Sequence, residues 1–164
     1  MRVMLAVCGV VTITLAATAG SLPGWRPPRA AEVDQAWRKD NPNRYVWIAA
    51  DFDGDGHADR AELLVRDPAP GVALVVTLAR DTRHPLVLEQ STDVAWLDAM
   101  GVDVASPGEY KTACGKGYSE CQPGEPESLK LGTPAIEFFK VESASSFFVF
   151  EPARGRFKRV WISD

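Results

Sequence analysis

Residues 51–62 read Asp-Phe-Asp-Gly-Asp-Gly-His-Ala-Asp-Arg-Ala-Glu, and they carry the chain's one sharp chemical pattern. Acids occupy loop positions 1, 3, 5, 9 and 12, with Gly56 at position 6. This fits the twelve-residue D-x-[DN]-x-[DN]-G-x5-E calcium-loop pattern. Calcium takes six to eight oxygens at about 2.3–2.6 Å. Asp51, Asp53 and Asp55 meet that demand only if the chain curls around an ion. Gly56 permits the turn by adopting a backbone conformation closed to residues with a side chain. The expected ligands are the carboxylates of Asp51, Asp53, Asp55 and Asp59, the backbone carbonyl of His57, and Glu62 closing the shell. Electrostatics agrees. Five carboxylates within twelve residues repel one another, and a divalent cation turns repulsion into attraction. Magnesium suits the loop less well, because it demands strict octahedral geometry and keeps its waters. The competing reading is a solvated acidic turn built on Asp-Gly.

The flanking residues decide what holds the loop. Tyr45-Val46-Trp47-Ile48 before it is β-branched and aromatic, and Ala61, Leu63 and Val65 after it alternate with Glu62, Leu64 and Arg66. Both read as strands. Two families share such a loop. The EF-hand sets a helix on each side. The FG-GAP (VCBS-type) repeat of integrin-like β-propellers and exported bacterial proteins joins two strands by D-x-D-G-D-G-x-x-D. The stretch Ile48 to Asp59 resembles the second, and the likeness covers about residues 45–90. It implies Asp51, Asp53, Asp55 and Asp59 as side-chain ligands and His57 as a carbonyl ligand, without requiring Glu62. A propeller needs roughly 4–8 blades and this chain has material for one, so the resemblance implies the calcium loop alone.

The rest of the chain reads mainly as β, with α+β as the alternative: an antiparallel sheet with one or two short helices. Residues 30–38 have apolar side chains at helical spacing (Ala30, Val33, Ala36, Trp37), predicting a short helix. Strands are expected over 71–79, 85–89, 135–141, 146–151 and 156–163, with Arg80 to His84 as a hairpin turn. Residues 94–100 read as either type. A turn-rich insert follows from Pro107. Five phenylalanines (138, 139, 147, 148, 150) read as core and cross-strand pairs.

Residues 1–19 read as a secretory signal peptide: Arg2, an apolar stretch from Val3, then Ala17-Thr18-Ala19. Residues 20–29 form a Pro-rich leader, and 30–164 a single domain. The expected location is periplasmic or secreted, with no transmembrane segment after cleavage. The chain's net charge is −4, and loss of Arg2 makes it one unit more negative, which argues against nucleic acid as a partner. Two cysteines then remain, Cys114 and Cys121. In an oxidising compartment they are expected to form a disulfide. The zinc alternative lacks ligands, since the only histidines are His57 and His84.

No nucleophile elbow, zinc motif or phosphate loop is present, so the reading leans away from an enzyme. The leading expectation is an exported, non-catalytic calcium-binding module, with the ion fixing a strand connection for contact with an envelope protein or an anionic polymer. The alternatives are a periplasmic inhibitor or immunity-type protein acting through the loop from Lys111 to Glu127, and an exported hydrolase. Arg154, Arg156, Lys158 and Arg159 form a basic end to the last hairpin, either a contact patch or a solvated edge that discourages strand aggregation.

Overall fold

The computed structural model describes residues 22–163. The predicted signal peptide lies outside the described residues. Strands dominate, as the β-branched and aromatic runs require, and every pairing is antiparallel. The first sheet is centred on β3 (Asp59–Arg66). On one side it pairs with β4 (Val72–Leu78), which pairs in turn with β5 (Asp81–Ser91). Along the other side of β3 run two short strands end to end. β2 (Trp47–Ala50) covers its beginning and β1 (Trp25–Arg26) its end. The second sheet has the order β11-β10-β9-β6: β11 is Arg156–Ser163, β10 Ser145–Glu151, β9 Ala135–Lys140 and β6 Met100–Ala105. A small hairpin, β7 (Gly108–Lys111) with β8 (Ser128–Leu131), stands apart.

Successive strand residues face opposite sides, and this alternation builds the core. Ala61, Leu63 and Val65 of β3 and Val72, Leu74, Val76 and Leu78 of β4 face Val102, Ile136, Phe138, Phe148 and Phe150 of the second sheet. The opposite face of the second sheet buries Phe147, Val160 and Ile162 beneath Tyr110 and Leu129 of the small hairpin. The outer face of the first sheet buries Leu64, Ala73 and Val75 against Leu22 and Trp25. Within the Pro-rich leader, Trp25 and Arg26 thus pair with the sheet and Leu22 packs on it. Arg26 grips Glu32 through two 2.8 Å hydrogen bonds.

Three expectations are corrected. Residues 30–38 form two 3-10 turns, Ala30–Glu32 and Ala36–Asp40, rather than one helix. The Glu32 carboxylate accepts the Arg29 N–H at 2.6 Å and closes the first turn on itself, while Arg38 is drawn wholly into the interior. Tertiary contacts outweigh propensity in a segment this short. Second, the β4–β5 turn is not Arg80 to His84. Leu78 pairs with Asp81, leaving Ala79-Arg80 as a two-residue connection. The polar residues 81–84 lie in an exposed edge strand, whose composition mimics a loop. Third, the segment read as a turn-rich insert contains β7 and β8. The ambiguous residues 94–100 contain the one α-helix of the described chain, α1 (Trp96–Ala99), which runs directly into β6.

Candidate metal centre

The acidic segment connects β2 to β3. Ala50 pairs with Asp59, so residues 51–58 are a loop closed at its base by the sheet. Phe52 anchors it from inside: its side chain is completely buried in the core between the sheets. Gly54 and Gly56 take φ of +78° and +86°, the left-handed conformation that glycine adopts without strain.

The loop's own N–H groups are drawn onto its carboxylates. Asp51 accepts from Gly54 (2.7 Å) and Asp55 (3.0 Å) on Oδ1 and from Gly56 (2.9 Å) on Oδ2. Asp55 accepts the His57 N–H at 2.8 Å. Asp59 sits on the core-facing side of β3 and is almost fully buried. Its Oδ2 accepts the Phe52 N–H (2.9 Å), and its Oδ1 the Ala79 N–H (2.8 Å) from the β4–β5 turn. Burial pushes the Asp59 carboxyl above its ordinary range, while these two hydrogen bonds oppose the shift and the neighbouring Asp53 charge adds to it.

Asp51, Asp53 and Asp59 each contribute one carboxylate oxygen to a cluster in which the three oxygens lie within 4.8 Å of one another. Such a donor set suits a hard cation. Asp53 supplies a further sign. Its side chain has no exposed surface. Its Oδ1 accepts a long 3.2 Å hydrogen bond from Asp55, and its Oδ2 accepts none. Arg80 Nη1 lies 3.1 Å from Oδ2 but out of line for a hydrogen bond. A buried carboxylate oxygen held by charge alone, without a hydrogen bond, is costly, and two further carboxylates lie beside Asp53.

The side chains of the other predicted ligands are not part of this three-carboxylate cluster. Asp55 and His57 lie at the exposed tip, with the imidazole Nδ1 3.3 Å from Asp55 Oδ1. Glu62 is buried, but it falls on the opposite face of β3 from Asp59, one residue out of phase with Ala61 and Leu63. There its Oε2 pairs with Arg60 at 3.1 Å, and Arg60 lies over the Trp47 ring. Sequence reasoning missed Phe52, Arg80 and the Ala79 N–H. Phe52 had a signal, an aromatic residue set between two acids at strand periodicity. The other two come from a hairpin distant in sequence.

Cys114 and Cys121 form a disulfide. The loop they close is pinned by the buried Thr112, whose hydroxyl donates to the Pro126 carbonyl at 2.8 Å. In the basic hairpin, Arg154 and Arg156 pair with Glu151, and Arg159 pairs with Glu89 across the two sheets at 2.6 Å. Among the described residues no helix is long and apolar enough to cross a membrane.

Comparison with protein-family models, with curated proteins and with solved structures returns no match. The fold and the site therefore define the class directly: an antiparallel β protein of two main sheets and a small hairpin, with a disulfide and a three-aspartate cluster able to hold a metal ion.

Proposed function

We propose that the loop from Asp51 to Asp59 binds one calcium ion and that the protein is an exported, non-catalytic module stabilised by it. The observation that carries this reading is the cluster of Asp51, Asp53 and Asp59, in which one carboxylate oxygen of each lies within 4.8 Å of the others and the buried Asp53 Oδ2 accepts no hydrogen bond. The all-oxygen donor set favours a hard cation, and a loop that can rearrange around an ion favours calcium over magnesium. Strands on both sides of the loop support the resemblance to FG-GAP repeats rather than EF-hands. In this reading the ion's work is mechanical: it fixes the β2–β3 connection and, through Asp59, the β4–β5 turn.

Calcium sites of extracellular modules bind at roughly 10⁻⁴–10⁻³ M. At about 1 mM calcium and a dissociation constant near 0.1 mM, the folded state gains about 1.4 kcal/mol. Thermal unfolding with and without 1 mM calcium tests the reading. The melting temperature is expected to rise with calcium in the wild-type protein and to stay constant in an Asp51→Ala, Asp55→Ala double variant. A wild-type melting temperature indifferent to calcium would refute it.

A further inference from the structure

Resting on the calcium reading above, we infer that Arg80 is the built-in counter-cation of the site, which the metal ion displaces from Asp53 when it binds. Three observations converge. Arg80 Nη1 lies 3.1 Å from Asp53 Oδ2 without hydrogen-bond alignment, so the arginine gives the carboxylate charge but no directional bond. The two partners are unequal: the Asp53 side chain is wholly covered, whereas that of Arg80 is 47% exposed. The buried anion depends on a nearby cation, while the half-exposed guanidinium is readily solvated. Its Cζ also lies 5.1 Å from the centre of the Phe150 ring, a face that favours a cation independently of Asp53.

The backbone keeps this exchange local. Arg80 follows Ala79, whose N–H is held by Asp59 Oδ1. The turn stays docked on the site through Asp59 while the side chain of Arg80 swings away. Arginine and calcium thus compete for one carboxylate, that of Asp53. Metal-free protein keeps Asp53 neutralised and the loop folded, at the expense of affinity for the ion.

Calorimetric titration of calcium chloride into wild-type protein and Arg80→Met tests this, since methionine keeps an apolar stem near Phe150 and removes the charge. Loss of a unit charge a few ångströms from the ion is expected to tighten binding about tenfold. In the wild type, the side-chain Nε–H resonance of Arg80 is expected to shift on saturation with calcium, a readout that does not require the variant to fold. Equal or weaker binding by Arg80→Met, or an Arg80 resonance that ignores calcium while the wild type binds it, overturns the inference and leaves the calcium site standing. Absence of binding in both proteins overturns the calcium reading itself, and this inference with it.

Discussion

Asp59 Oδ1 accepts the N–H of Ala79 at 2.8 Å, joining the start of β3 to the β4–β5 turn twenty positions along the chain. The other oxygen of the same carboxylate holds Phe52, so one buried group clamps the acidic loop and the turn together. Asp59→Asn keeps the shape but turns an NH2 group toward one of the two backbone donors. It is expected to lower the unfolding free energy by about 1–3 kcal/mol, read from urea denaturation without calcium, and to abolish the calcium response.

Arg38 is predicted to be irreplaceable even by lysine. It is 0% exposed and donates to the carbonyl oxygens of Arg44 (2.8 Å), Leu97 and Met100 (2.7 Å) and to Gln35 Oε1 (2.9 Å). Burial pushes its pKa down to about 10, so it stays charged at neutral pH. The carbonyl of Arg44 belongs to a pair of residues, Arg44 and Tyr45, with φ near +54°, a conformation that surrounding contacts must hold. Lysine cannot span the fork of acceptors. Arg38→Lys is expected to cost about 2–4 kcal/mol by chemical denaturation.

Gly115 marks a second intolerant position. A Cβ there would lie 1.9 Å from the Glu127 carbonyl oxygen, where backbone cannot yield cheaply. Gly115→Ala should separate the disulfide loop from the start of β8 and cost on the order of 1–3 kcal/mol. Gly117→Ala is the informative contrast: nothing lies within 4 Å of its added Cβ, and only its positive φ resists substitution. Thermal denaturation of the two variants is expected to rank Gly115→Ala as the less stable.

Acid should loosen the leader. The Arg26 guanidinium, together with the Arg29 N–H, holds the Glu32 carboxyl down to about 2 from an ordinary value of 4.5. A depressed acid contributes stability that is fully present above 4.5 and is lost as pH falls from about 4.5 toward 2. The pair is partly exposed, so screening keeps the contribution modest. Melting temperatures at pH 5 and pH 2.5 should differ less in Glu32→Gln than in the wild type.

The loop and its two strands were legible in the sequence because the motif, the aromatic lead-in and the alternation after it all state local preferences. So were the C-terminal strands, where Phe138, Phe147, Phe148 and Phe150 are buried as expected, while Phe139 is half-buried against Trp37 and Tyr45. Other features depend on distant partners. β6 has a glycine and an aspartate that weaken its strand signal. Gly101 is there because a Cβ would lie 2.5 Å from the Phe139 ring, a neighbour the sequence does not announce. Arg38 was hidden by its own type, since arginines are seldom fully buried. Glu62 fits the motif by spacing, yet strand alternation turns it to the face opposite Asp59; the two periods compete, and in the structure the sheet decides.

The most direct test follows the backbone amides of Phe52, Gly54, Asp55, Gly56 and Ala79 by nuclear magnetic resonance while calcium is added to the purified protein. The account predicts that these amides, all bonded to carboxylates of the loop, shift together and saturate with one dissociation constant at or below about 1 mM. Amides that stay in place through 10 mM calcium, in a folded sample, would contradict it.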